Sequence, residues 1–195
     1  MKIAGIVLAG GLSSRMGQDK AQLLLDQVTL LSRSVTLLSS LNLTQVFVSG
    51  NYQGFDCITD VEASLGPVGG IHACVESLFL EYDALFILPV DMPLIREDEC
   101  FELLHLFEQY PQGVFYEEAT FPLILPLTKQ LKNYLAEVLT YPEKKQRSLY
   151  RLIKTVKLQP VKYPASNKIR FQNSNTLEQW ETCIKSYHAQ NETEE

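Results

Sequence analysis

Lys2 to Leu8 is a short, nearly all-apolar run that stops at Gly10-Gly11, the pattern of a strand buried on both faces of a parallel sheet. Such a strand predicts a central place in the sheet. After a polar loop, Leu30, Leu31, Val35, Leu37, Leu38 and Leu41 form an apolar stripe at helical spacing, and Gln45 to Ser49 follows as a second strand. The unit recurs. Ile71 to Leu80 predicts a helix, Ala84 to Val90 a buried strand and Asp98 to Glu108 an amphipathic helix, with strands at Val114 to Tyr116 and Phe121 to Leu125. This alternation predicts the α/β class, with a mostly parallel sheet, helices on both faces and right-handed crossovers. Past Leu131 the pattern predicts helices at Leu131 to Leu139 and Leu149 to Lys154, then a strand around Val156 to Val161. A short extended piece at Lys168 to Gln172 and a closing helix from Asn175 to His188 complete it. With no internal repeat and no low-complexity linker, residues 1–190 are expected to form a single domain and residues 191–195 a frayed tail.

A chain of 195 residues with 46% hydrophobic and 21% charged residues suits one globular domain with a sizeable core. Seventeen basic against 23 acidic residues give a net charge of −6, the wrong sign for a fold-wide affinity for nucleic acid or anionic membrane. Neither is expected as a partner, and an anionic ligand must be held locally. No apolar run approaches the roughly 20 residues that span a bilayer, and Ile3 to Leu8 is too short for a signal peptide and lacks a cleavage flank. The expected compartment is the cytoplasm. Cys57, Cys74, Cys100 and Cys183 are scattered, form no C-x-x-C pair and read as reduced, mostly buried thiols. His72, His105 and His188 form no zinc signature, and no G-x-S-x-G elbow presents a serine.

The densest chemical signal follows the first strand: Leu8-Ala9-Gly10-Gly11-Leu12-Ser13-Ser14-Arg15-Met16-Gly17-Gln18-Asp19-Lys20. A glycine-rich turn there lets backbone N–H groups approach phosphates, and Arg15 and Lys20 add positive charge to the same anion. A solvated turn with two surface cations is the plainer reading of a bare Gly-Gly pair. The string is neither a Walker A loop, because Gln18 follows Gly17, nor G-x-G-x-x-G. Asp91 stands just past the apolar run Ala84 to Val90, where open α/β sheets bind ligands, and its carboxylate suits Mg²⁺. An Asp in the turn before Pro93 is the structural alternative. Asp60, Asn51 and the Gly66-Pro67 turn can each be read as turn or cap residues.

The glycine-rich string resembles the L-A-[AG]-G-x-[SG]-x-R-M-G-x-[DN]-K signature of nucleotidyltransferases that activate sugars and cofactors. With Gly10 in its third position it is more similar to the MobA family of molybdenum cofactor guanylyltransferases, within the MobA-like NTP transferases, than to cytidylyltransferases. Gly66-Pro67-Val68-Gly69-Gly70 resembles that family's G-P-L-A-G, and Val90-Asp91-Met92-Pro93 its C-D-[TM]-P. Phe171 to Thr176 resembles its F-x-N-x-N-T-P, with Leu177 where proline is usual.

The resemblance implies a three-layer α/β/α Rossmann-like nucleotidyltransferase fold that joins GMP from GTP to molybdopterin and releases pyrophosphate. It implies Mg²⁺ at Asp91 and nucleotide contacts from Leu8, Ala9, Gly10, Gly11, Arg15, Gly17, Lys20, Asn51, Asp60, Gly66, Pro67, Gly70 and Asp91. Arg15 and Lys20 take the β- and γ-phosphates, so that Arg15, Lys20 and Asp91 carry the catalysis. Asn173 and Asn175 face the acceptor. The implied partners are GTP and molybdopterin, with molybdoenzymes, their chaperones and molybdenum-insertion proteins beyond them. CTP or another acceptor, and a nucleotide-binding adaptor without catalysis, are the alternatives.

Lys144, Lys145, Arg147, Arg151, Lys154 and Lys157 occur with no acidic residue between them. On a helix Arg147, Arg151 and Lys154 share a face opposite Leu149, Leu152 and Ile153, which reads as a solvated face. The sharper reading is that this cluster, Arg147 above all, helps receive the phosphate of molybdopterin.

Overall fold

The computed structural model describes residues 1–10, 19–59, 65–141, 143, 145–163 and 165–191. Its first half runs β1 (Ile3–Leu8), a 3-10 turn (Lys20–Gln22), β2 (Leu24–Leu25), β3 (Val28–Thr29), α1 (Leu30–Ser40), β4 (Gln45–Ser49), β5 (Cys57–Ile58), α2 (Pro67–Leu78) and β6 (Ala84–Pro89). The second half adds α3 (Glu97–Gln109), β7 (Val114–Tyr116), β8 (Leu123–Pro126), α4 (Lys129–Val138), α5 (Leu149–Val156), β9 (Gln159–Val161), a 3-10 turn (Ala165–Phe171) and α6 (Leu177–Asn191).

The apolar run at the start is central, as its composition requires. Every residue of β1 except Ile3 is buried, and the strand pairs in parallel with β4 on one side and β6 on the other. The sheet order is β5-β4-β1-β6-β8-β7-β9. Only the pairings of β8 with β6 and β7 are antiparallel among the described strands of this sheet. The chain moves one way along the sheet from β1 to β4 and the other way from β5 to β6. Right-handed crossovers in opposite senses place α1 and α2 on opposite faces. α2 packs with α4 and α5. On the other side α6 meets α1, where the Arg33 guanidinium lies 4.8 Å from the Tyr187 ring centre, and the start of α3, where Arg96 donates to Gln190 (3.2 Å). No described helix is long and apolar enough to cross a membrane.

Local chemistry sets where elements start and stop. Thr29, Thr128 and Ser148 each cap a helix by accepting a backbone N–H three residues on. The polar loop predicted after the first strand contains a small hairpin, β2–β3, whose turn residues Asp26 and Gln27 both have positive φ. The strand predicted from Phe121 begins at Leu123, because Pro122 has no N–H to give a ladder. That predicted from Val156 begins at Gln159, because left-handed Lys157 (φ 58°) ends α5 first. Asn175 lies outside the closing helix, whose start is fixed by Thr176 accepting from the Gln179 N–H (3.2 Å). That helix continues to Asn191, so residue 191 belongs to it rather than to a tail, and residues 192–195 lie outside the described residues.

Two expectations need correction. The piece at Lys168 to Gln172 is not extended but lies mostly in the 3-10 turn Ala165–Phe171. Three residues per turn put Asn167 and Arg170 on one side, where both donate to Glu99 Oε1, at 2.7 and 2.6 Å. Arg147 precedes the cap Ser148, so it does not share a helical face with Arg151 and Lys154. Cys74, Cys100 and Cys183 are buried and Cys57 is half-buried, all as free thiols.

Glu99 is 1% exposed and also accepts the Arg96 N–H (3.1 Å). Replacing it with Ala leaves the Arg170 guanidinium, itself about four-fifths covered, without its carboxylate. Glu99→Ala is expected to lose about 2–4 kcal/mol of stability in chemical denaturation.

Candidate functional site

Three parallel strands end side by side at one cavity of about 330 Å³, with Leu8 from β1, Ser49 from β4 and Pro89 from β6 in its wall. Carboxyl ends of strands are where an open α/β sheet leaves a crevice for ligands. Of the residues expected to bind nucleotide, Leu8, Ala9, Gly10 and Lys20 line this cavity from the first segment. Gly66, Pro67 and Gly70 line it from the start of α2, and Asp91 from the turn after β6. Asn173 reaches it from the C-terminal segment. Gly11, Arg15, Gly17, Asp60 and Lys144 lie outside the described residues.

Each wall follows from local backbone chemistry. The Gly10 N–H donates to the Ser49 carbonyl (2.9 Å), as does that of Ala9 (3.2 Å), so Gly10 lines the cavity with its amide already partnered. Gly66 takes φ 67° immediately before α2, a conformation that favours glycine, and Pro67 opens the helix where a missing N–H costs nothing. Asp19 accepts the Ala21 N–H (3.0 Å), starting the 3-10 turn on which Lys20 is the first residue.

Lys20 is the centre of the arrangement. Its ammonium donates to Asn175 Oδ1 at 2.5 Å and lies 3.5 Å from Asp91 Oδ2. Asn175 is presented by its own neighbours: its N–H donates to Gln179 Oε1 (2.8 Å), and the Ser174 N–H donates to the Asp91 carbonyl (2.9 Å). The Asp91 carboxyl is pushed above the ordinary Asp value by burial, against the downward pull of Lys20. A carboxylate held charged in such a place favours a cation. Among the described residues no group of three or more His, Cys, Asp or Glu could hold a metal by itself. One carboxylate facing this cavity does fit Mg²⁺, which takes one or two protein carboxylates and completes its shell with substrate oxygens and water.

Asn51 is exposed and does not line the cavity. Arg147 does not line it either, and its Nε is buried without a hydrogen-bond partner among the described residues. Ser49, Val90 and Phe121 line the cavity without having been singled out. The Ser49 carbonyl accepts the Ala9 and Gly10 N–H groups and the Val90 N–H donates to the Leu8 carbonyl, backbone roles with no side-chain signature. Ser174 was also missed: it is 1% exposed, and its N–H (2.9 Å) and hydroxyl (3.4 Å) both donate to the Asp91 carbonyl, its only signal being its place between two asparagines.

The model of the MobA-like NTP transferase domain matches residues 5–161. A molybdenum cofactor guanylyltransferase of Xanthomonas euvesicatoria pv. vesicatoria is 36% identical over 180 residues, covering 92% of this chain and 93% of that protein. Another, from Campylobacter jejuni subsp. doylei, is 27% identical over 195 residues, covering 90% and 92%. Among solved structures, molybdopterin-guanine dinucleotide biosynthesis protein A from Archaeoglobus fulgidus superposes with a TM-score of 0.70 at 18% identity, covering 97% of this chain and all of that one. At that identity the likeness carries the Rossmann-like fold.

The raised Asp91 pKa gives a signed prediction for the metal-free protein. A carboxyl that binds its proton more tightly folded than unfolded weakens the fold at pH values above its folded pKa, and the penalty disappears on acidification. Asp91→Asn is therefore expected to raise the melting temperature at pH 7.5 in chelator. The advantage should shrink steadily as the pH is lowered through the acidic range, and a constant difference across it would contradict the assignment.

Proposed function

The chain belongs to the MobA-like NTP transferase family, and from that premise we propose that it transfers GMP from GTP to molybdenum-bound molybdopterin. The products are the guanine dinucleotide form of the cofactor and pyrophosphate. The observation that carries this reading is the Lys20 ammonium, set between Asp91 and Asn175 at the ends of the central strands. A cation in that place neutralises phosphate where the nucleotide-binding N-terminal half meets the acceptor-binding C-terminal half. The match of this family model and the similarity to named guanylyltransferases support guanine as the base.

In the proposed reaction a phosphate oxygen of molybdopterin attacks the α-phosphorus of GTP. The new P–O bond forms in line with the bridging bond that breaks, and that bond's electrons leave with pyrophosphate. A phosphate nucleophile is already ionised near neutral pH, so no side-chain base is needed; positioning and charge neutralisation supply the catalysis. Lys20, with Arg15, holds the β- and γ-phosphates. Asp91 would hold Mg²⁺, which when bound draws charge from the phosphoryl oxygens. Gly66, Pro67 and Gly70 lie along the base, and Asn51 and Asp60 contact the nucleoside. Asn173 and Asn175 meet the acceptor, and Arg147 helps receive its phosphate. The reading carries with it a cytoplasmic setting and delivery of the product to molybdoenzymes or their chaperones.

The test is calorimetric binding of GTP, CTP, ATP and UTP with Mg²⁺, followed by turnover with molybdopterin. GTP alone should bind, because a site that hydrogen-bonds one base edge rejects the others strongly; a preference for CTP would redirect the activity to cytidylyl transfer. Asp91→Ala is expected to lower turnover by about a hundredfold or more in a folded protein. Lys20→Ala is expected mainly to weaken GTP binding, since lysine acts on phosphate as a point charge.

A further inference from the structure

The two ends of the glycine-rich string meet at one side chain that belongs to neither. The Tyr52 hydroxyl donates to the Ala9 carbonyl at 3.0 Å, and the Asp19 Oδ1 acceptor lies 3.3 Å from the same oxygen. Ala9 is the last residue before Gly10, and Asp19 is the residue before Lys20. Asp19 Oδ1 also accepts the Ala21 N–H that starts the turn carrying Lys20. A single phenol therefore faces both Ala9, just past β1, and Asp19, at the start of the turn from which Lys20 is aimed at Asp91.

The surroundings of Tyr52 are built to hold it there. A Cβ on Gly50, whose φ is +149°, would come within 2.7 Å of Tyr52 Cε2, so the absence of a side chain makes room for the ring. The Cys57 thiol brackets the Tyr52 backbone: it receives the N–H and donates to the carbonyl, both at 3.3 Å. Burial and the adjacent Asp19 carboxylate push the phenol pKa well above its usual value, so the hydroxyl keeps its proton and remains a donor.

We propose that Tyr52 is a positioning residue for nucleotidyl transfer: its hydroxyl holds Asp19 beside Ala9 at the end of β1 and thereby sets the aim of Lys20 on the phosphates. This rests on the reading of the cavity as an NTP site. A Lys20 already aimed before the ligand arrives need not be ordered on binding, which appears as tighter binding rather than faster chemistry.

Tyr52→Phe tests it, since the ring and its packing remain and only the hydroxyl goes. In the nucleotide-free protein, amide exchange at Ala21 is expected to speed up about tenfold while the melting temperature moves by no more than a few degrees. In turnover, KM for GTP should rise about five- to tenfold with kcat within about twofold of wild type. Unchanged exchange at Ala21 overturns the proposal, and so does an unchanged KM in an enzyme whose wild type binds GTP. If wild type binds no nucleotide, the NTP reading is what fails, and the exchange measurement still decides whether Tyr52 holds the turn that carries Lys20.

Discussion

Glu99 is a carboxylate with almost no access to water, and it is tolerated because donors reach it from several directions. Arg170 and Asn167 approach it from the 3-10 turn, and the Arg96 N–H from the start of its own helix. A buried charge of this kind permits little slack, since losing one partner leaves the other uncompensated. Two of those donors belong to the segment that runs directly into Asn173, Ser174 and Asn175. Where Glu99 holds Asn167 and Arg170 therefore decides where the asparagines arrive. Ser174 then docks on the Asp91 carbonyl and Asn175 meets Lys20, so the C-terminal wall of the cavity hangs from α3 through the Glu99 carboxylate.

Within the cavity the same economy applies on a smaller scale. The chain carries net negative charge, so attraction for an anionic ligand has to be local, and the Lys20 ammonium provides it. Asp91 keeps that ammonium in place at the cost of a carboxylate whose charged form the site disfavours. The arrangement is poorer for the empty fold than a neutral pair, and better for a ligand that brings phosphates together with a metal ion. Stability is exchanged for a site that is already assembled.

Much of this was legible from one chain. The apolar run of β1 announced a central buried strand, and the strand–helix alternation announced a mostly parallel sheet. The motif residues Gly10, Lys20, Gly66, Asp91 and Asn173 do meet at one cavity. What could not be read has identifiable causes. The 3-10 turn at Ala165–Phe171 owes its shape to a carboxylate about seventy positions earlier, beyond the reach of any local pattern. Ser49 acts through its backbone carbonyl and Ser174 chiefly through its N–H, groups that nearly every residue type possesses. Arg147 looked helical because charge spacing ignores caps, and Ser148 is one. Tyr52 carried no signal, since its use depends on a glycine two residues before it and on two segments brought together only by the sheet.

The hydrogen bond between Lys20 and Asn175 spans 155 positions. Chains are synthesised from the amino end, and long-range contacts are slow to form because loop closure must come first. The strands β1, β4 and β6 can thus be paired while the polypeptide is still growing, with Lys20 lacking its amide partner. Only when the last segment has emerged and docked does the pocket gain its second wall. The complete cavity consequently arrives last in the life of each molecule, and a nascent or partly folded copy would present Lys20 and Asp91 to the cell without the wall that Asn173 and Asn175 supply.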